Sequence, residues 1–190
     1  MDHEAVVDLL LETASLKRLP RSGWLLRGVP QAESVAGHSF GVAFVALVLA
    51  DLEGGLDLAK VLSMALLHDL AEVRLTDLPA SATHLLPGGL KSQAEAQALT
   101  DLLAPLPHSH RWLALWQEFE DRSSAEGRLV RDADKLEMMV QCLRYEQAGS
   151  RGLDEFWQAM DGYDWQFALC AGLYARLRAM RPQAAPAGEG

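Results

Sequence analysis

The stretch Asp57–Val73, DLAKVLSMALLHDLAEV, is apolar around most of a helical circumference, yet it carries His68, Asp69 and Glu72 within five residues. Asp57 is a good N-cap, so the stretch predicts a helix running to about Val73. Burying a carboxylate without a partner costs far more than a helix gains from packing. The charges in LLHDLAEV therefore call for something that neutralises them. At about 100° per residue the His68 and Asp69 side chains diverge, while His68 and Glu72 stack on nearly one face. A cation between His68 and Asp69 could take both, with Glu72 one turn along and outside its immediate contacts.

Working outward, the chain reads as helix after helix. Asp2 to about Lys17 is amphipathic and ends in RLPRSGWLLRGVPQAE, where Pro20, Gly23, Gly28 and Pro30 predict a loop. A second helix is expected from about Glu33 to Leu52, with Val35, His38, Val42, Val45 and Leu49 on one face and Gly54-Gly55 breaking it. After the loop RLTDLPASATHLLPGG, helices follow at about 91–104 and 109–120. Ser123-x-x-Glu126 has the capping-box pattern and opens a long helix through Gln147. One or two helices close the chain, and residues 182–190, PQAAPAGEG, read as a disordered tail. No segment alternates with period two. The expectation is an all-α bundle of about six to eight helices, one domain over residues 1–181.

At 190 residues the chain is long enough for one real core. No run of about 18 apolar residues free of charge suggests a membrane span, and the acidic start lacks the basic region of a secretory signal. Cys142 and Cys170 read as buried, reduced thiols of a cytoplasmic protein. A net charge of −9 repels polyphosphate backbones and disfavours nucleic-acid binding. Yet Thr13–Ala32 holds no acid while carrying Lys17, Arg18, Arg21 and Arg27, so that segment could meet a small anion.

Two further residues join the HD pair. His38 lies on the apolar face of the second helix, and RLVRDADKLEMM places Asp134 among Val130, Ala133, Leu136 and Met138. Asp132 is the rival, but its neighbours Arg131 and Lys135 suggest a wetter side, which favours Asp134. Two imidazoles and two carboxylates, His38, His68, Asp69 and Asp134, form a mixed nitrogen and oxygen set. It suits one divalent transition metal, Mn, Co, Fe, Ni or Zn, rather than a cysteine-rich structural zinc site, and leaves room for water or substrate. Such an ion would lower the pKa of a water near neutral pH.

H…HD…D on successive helices resembles the HD-domain metal-dependent phosphohydrolases. More narrowly, LKRLPRSGWLLRGVPQAESVAGHSF, ALLHDLAEVRLTDLP and GRLVRDADKLEMMVQCLRYE are similar to the 5′-deoxynucleotidase branch, which includes bacterial YfbR-type enzymes and the eukaryotic HD-domain-containing proteins. The carrying features are the ordered tetrad, the E-x4-D-x-P tail Glu72–Pro79 and the W-x13-H lead-in Trp24–His38. The resemblance implies His38, His68, Asp69 and Asp134 as metal ligands. It implies Glu72 and Asp77 as proton-handling carboxylates, with no assignment of acid or base between them. Trp24, Leu78, Pro79 and Ala80 match a nucleoside pocket, and a tight fit there could exclude ribonucleotides. The bacterial branch has an arginine directly before the tryptophan, where this chain has Gly23. Arg21 is the best substitute, with Arg18 and Arg27 still open.

The implied activity is removal of the 5′-phosphate from a deoxynucleoside monophosphate. The rivals are another HD phosphohydrolase, acting on a triphosphate, cyclic nucleotide or other phosphoester, and a non-catalytic nucleotide-sensing module; a sensor has no need of Glu72 and Asp77. Simpler roles exist for single residues: Glu72 paired with Arg74, Asp77 capping a turn, Trp24 in the core. His84, His108 and His110 are read as loop residues. Relatives imply a homodimer, and Trp112, Trp116, Trp157 and Trp165 offer a candidate aromatic interface.

Overall fold

Ser34, Asp57 and Ser124 each accept a backbone N–H three residues on and so start the three helices that build the centre of the protein. The computed structural model describes residues 2–182. In chain order it contains α1 (His3–Thr13), a 3-10 turn (Ala14–Lys17), α2 (Ser22–Leu25), α3 (Val35–Glu53), α4 (Leu58–Leu67) and α5 (Glu72–Leu75). These are followed by α6 (Ala80–Thr83), α7 (Leu90–Leu103), α8 (Ser109–Glu120), α9 (Ala125–Gln147), α10 (Asp154–Asp161) and α11 (Ala168–Ala179). Eight of these helices have eight or more residues and three are single turns, an all-α architecture as expected. Apart from Pro182, the expected tail lies outside the described residues.

The most extensive pairing is α3 against α9, with α4 packed on both. Val42, Ala46 and Leu49 from α3, Val61, Met64 and Ala65 from α4, and Leu129, Ala133 and Leu136 from α9 fill the interface and are almost wholly buried. A smaller cluster, Ala71, Ala98, Leu99, Leu103 and Trp116, seats α7 and α8 behind the start of α5. The loop between α1 and α3 is fastened to the root of α3 by Arg21 N–H to the Glu33 carbonyl (2.9 Å) and Val35 N–H to the Leu19 carbonyl (2.8 Å). Residues 20–24 are thereby carried beside His38.

Four expectations change. The predicted helix 57–73 ends at His68; residues 69–71 wind more tightly, with Leu70 N–H on Leu67 O and Glu72 N–H on Asp69 O, before α5 begins. The long helix is capped by Ser124 rather than Ser123, and Glu126 reaches Asp57 N–H (3.2 Å) and Lys60 (3.3 Å) instead of its own N-terminus. Trp116 and Trp157 are core residues, exposed by only 2% and 0%, so of the four tryptophans offered as an aromatic interface only Trp112, 43% exposed, and the partly buried Trp165 reach the surface. Finally, the expectation that no charge-free apolar run reaches membrane length gains one qualification: α3, with Asp51 and Glu53 at its end, is long and apolar enough to cross a membrane by length and composition. One face of it packs against α9 and α4, while Phe40, Phe44, Val48 and Leu52 on the outer face stay exposed.

Candidate metal centre and substrate cleft

His38 is fully buried on α3, and its Nδ1 lies 2.6 Å from Glu137 Oε2 of α9. That contact needs Gly41, one turn further along α3. A Cβ at position 41 would fall 2.5 Å from Glu137 Oε1 and 2.8 Å from its Cγ, so only glycine leaves the carboxylate its place. His68 sits at the end of α4, where Nδ1 reaches the Ala65 carbonyl at 2.8 Å. In each ring Nδ1 donates, which leaves the lone pair of a neutral imidazole on Nε2.

Those two Nε2 atoms are buried and make no hydrogen bond. They converge on carboxylates: His68 Nε2 is 3.2 Å from Asp69 Oδ2, and His38 Nε2 is 3.6 Å from Asp69 Oδ2 and 3.2 Å from Asp134 Oδ1. Lone pairs facing carboxylate oxygens repel one another unless a cation lies between them. In the metal-free protein a proton answers part of this demand. Burial and the Arg21 charge favour a neutral His38, but Asp134 and Glu137 outweigh them and push its imidazole up to about 10. Burial also works to raise Asp69 and Asp134. The imidazoles, with Arg21 beside Asp69 and Lys135 beside Asp134, hold both carboxyls well below the usual range. The donor set fits a divalent ion: His38, His68 and Asp69 each offer one atom within 4.8 Å of the others. Asp134 meets this group through His38, while its second oxygen is held by Lys135 Nζ at 2.9 Å.

Asp132, expected on a wetter side, is in fact fully buried. It points away from the centre and accepts the Gln166 and Phe167 N–H groups at 2.9 and 3.0 Å, closing the N-terminus of α11. Two residues along a helix is about 200°, so the two aspartates could not share a destination.

Glu72, at the start of α5, is buried with Oε2 unpartnered, while Arg74 is taken by Glu12. Burial first, then the charges of Asp69 and Asp77, push its carboxyl up to about 9. Asp77 is more committed: its Oδ2 accepts Ser22 N–H, its carbonyl accepts Ser22 Oγ (2.6 Å), and Oδ1 is 3.7 Å from Arg21. Arg21 also donates to Asp69 Oδ2 at 2.9 Å, and these carboxylates outweigh its burial to keep the guanidinium firmly charged. Arg27 is held by Glu155 away from the centre, so among the candidate arginines this geometry favours Arg21.

A cleft of about 310 Å³ opens over these groups, lined by Arg21, Asp69, Glu72, Asp77 and Asp134 on one side and by Trp24, Leu78, Pro79 and Ala80 on the other. Trp24 is both a core residue and part of the cleft wall. It is 2% exposed, donating Nε1–H to Glu33 (2.9 Å) and packed on Phe156 at 4.3 Å, yet it still contributes to the cleft wall. His84, His108 and His110 belong to no metal-competent group among the described residues. Sequence reasoning missed Glu137, Gly41, Lys91 and Phe156. Glu137 lies three residues after Asp134 and Gly41 three after His38, so helical spacing was the available signal.

Comparison with known proteins agrees with this geometry. A family model described as HD domain matches residues 13–162. Human 5′-deoxynucleotidase HDDC2 is 35% identical over 75% of this chain and 69% of its own length. The fission yeast 5′-deoxynucleotidase hdd1 is 29% identical over 80% of this chain and 79% of its own. A conserved hypothetical protein of known structure from Pyrococcus furiosus superposes with a TM-score of 0.78 at 40% identity, covering 92% of this chain and 98% of that one. With most of its length matched and its buried histidines and aspartates drawn together where three helices meet, the chain belongs to the HD domain family.

Proposed function

We propose that this protein is a metal-dependent phosphohydrolase that releases the 5′-phosphate of deoxynucleoside monophosphates. The observation that carries this is the convergence of two buried, unpartnered imidazole nitrogens with Asp69 and Asp134, whose carboxylates line a cleft shared with the half-buried Arg21 and with Glu72. His38, His68, Asp69 and Asp134 are the residues to hold the metal, which when bound supplies Lewis-acid stabilisation of phosphoryl charge and a water of lowered pKa. Arg21 faces the same space and provides a fixed cation for the phosphate oxygens, already positioned by Asp69 and Asp77. Glu72, whose carboxyl is pushed up by burial and by the charges of Asp69 and Asp77 in the metal-free protein, faces the same cleft and is the group to give a proton to the leaving 5′-oxygen. Asp77, with both oxygens engaged, holds the Arg21–Ser22 turn. The human and fission yeast relatives, both 5′-deoxynucleotidases, support the choice of substrate.

The test is phosphate release from a panel of deoxynucleoside and ribonucleoside monophosphates, deoxynucleoside triphosphates and cyclic nucleotides, with and without chelator. Release from the deoxynucleoside monophosphates, abolished by chelation and by Glu72→Gln, is expected. Preferential turnover of the triphosphates would refute the assignment.

The proposed assembly is a homodimer through the outer face of α3. Phe40, Phe44, Val48 and Leu52 recur every fourth residue there and are exposed by 74%, 58%, 41% and 61%. Val35–Ala50 contains no Asp, Glu, Lys or Arg to recognise a charged partner. A straight row of this kind is self-complementary about a two-fold axis.

A further inference from the structure

A second cleft, of about 500 Å³, adjoins the first and shares Gly23, Pro79, Ala80, Lys135, Met138 and Phe156 with it. None of His38, His68, Asp69, Asp134, Arg21 or Glu72 lines it. We infer that this second cleft is the nucleobase subsite: the base would lie against Phe156, over Met138 and Met160, with the sugar in the passage beside Gly23. The inference rests on the nucleotidase assignment above, and on three observations besides.

The first is direction. In the proposed reaction the metal group and Arg21 hold the phosphate in the first cleft. The rest of the nucleotide then leaves either past Lys91 and Arg131 or past Pro79 and Ala80. Lys91 and Arg131 are paired with Glu95 and Glu120, and that route is walled by ion pairs with no ring for a base to stack on. The other route ends on thioethers and an aromatic ring.

The second is the ring itself. Phe156 is half-buried on α10 and packs on Trp24 at 4.3 Å with 31° between planes. Trp24 is in turn fixed by Glu33 and by edge contact with Tyr145 at 5.3 Å. A ring held from behind in this way offers a rigid stacking platform that loses little freedom when a base settles on it.

The third is the passage. Gly23 lines both clefts, and a Cβ there would lie 3.6 Å from the Phe156 ring. Side chains longer than one carbon at this position would therefore enter the space between the two clefts. The absence of a side chain directly before Trp24 becomes part of the substrate path. The charged groups on the second cleft are already paired, Arg27 with Glu155 and Lys135 with Asp134, which leaves stacking and shape to select the base.

The test uses hydrolysis-resistant phosphonates in which carbon replaces the ester oxygen: the analogue of deoxyadenosine monophosphate and that of deoxyribose 5-phosphate. Their dissociation constants are measured by calorimetry on the metal-loaded wild type, on Ala159→Trp and on Gly23→Leu. Ala159 is exposed on α10 and lines only the second cleft, so tryptophan there fills the cleft without entering the core. Wild type should bind the base-bearing analogue at least about tenfold more tightly, the size of one base stacked on an aromatic ring. Each variant should erase most of that preference, with an unchanged melting profile as the folding check. Equal binding of the two analogues, or a preference that survives both variants, overturns the subsite. Phosphate release from deoxynucleoside monophosphates, read separately, keeps the two assignments apart. Release without base preference leaves the hydrolase standing and removes the subsite. Base preference without release from any phosphoester does the reverse.

Discussion

Adding one methyl group at Gly41 should cost this protein its metal affinity. In an exposed helix interior, Gly→Ala gains about 1 kcal/mol from the lost flexibility of glycine. Gly41 sits mid-helix in α3, so propensity alone predicts a more stable protein. The structure predicts the opposite. The new Cβ would stand 2.5 Å from Glu137 Oε1, 2.8 Å from Cγ and 2.9 Å from Cδ, a collision with most of the side chain. Glu137 is only 8% exposed and holds His38 Nδ1 at 2.6 Å, so it must give up that bond in order to move. A charge-assisted hydrogen bond is worth roughly 1.5–3 kcal/mol, and overpacking a core costs about 1–3 kcal/mol. Either exceeds the propensity gain. The expected net destabilisation is therefore about 1–4 kcal/mol, a fall of several degrees in melting temperature at this chain length.

The effect on the metal follows from the same bond. Glu137 fixes the His38 tautomer and aims Nε2, and loss of such a supporting carboxylate typically weakens metal binding by about 10–100-fold. The assay is competition for Co(II) or Mn(II) against a chromophoric chelator, alongside thermal melting of the chelated protein. Glu137→Ala serves as the partner variant. If Gly41→Ala acts through Glu137, adding it to Glu137→Ala should bring no further loss of affinity. Unchanged metal affinity with an equal or higher melting temperature in Gly41→Ala would refute the reasoning, as would fully additive losses.

Three further outcomes are expected. Asp134→Ala should lose bound metal and activity together, whereas Asp132→Ala should keep its metal and lose about 1–3 kcal/mol of stability, because two N–H groups at the head of α11 go unpaired; metal analysis and melting curves separate the two, and the reverse pattern would show the aspartates exchanged. The folded state of the metal-free protein holds a proton on Glu72 up to about pH 9, whereas the unfolded chain releases it near 4.5. Stability should thus fall as pH rises through that window, and Glu72→Gln should remove roughly 3 kcal/mol of this loss between pH 4.5 and 7; denaturation of chelated wild type and variant across pH checks it, and a difference independent of pH would contradict it. Phe44→Glu on the exposed row of α3 should convert the proposed dimer to monomer by light scattering, and a monomeric wild type would dispose of that interface.

Much of the architecture was legible because helices are local. Apolar spacing placed α3, α7, α8 and α9 within a residue or two, and Asp57 marked the start of α4. The break after His68 was not legible, because the apolar pattern runs on through Ala71 and Val73 while the backbone winds more tightly. The Ser123 capping box likewise lost to Ser124, since Glu126 finds better partners in Asp57 and Lys60, which are distant in sequence. Tryptophans 116 and 157 carried no local mark of depth, and only the packing of α8 and α10 sends them inward.

The sequence by itself determined an all-α chain and the set of residues around which a site could form: a histidine on one apolar helix face, an HD pair within another helical stretch, and an aspartate on a third. Each is odd against its own helix, and that oddness is a one-dimensional signal. Only the tertiary structure decided how they meet. His38 and Glu137 are 99 positions apart, Ser22 and Asp77 are 55, and Arg21 and Asp69 are 48. The direction of an imidazole lone pair, the freedom left to Glu72 and the restraint on Asp77 are all set across those separations. Periodicity says which face of a helix is buried; what that face is buried against depends on the packing of elements far apart in the chain.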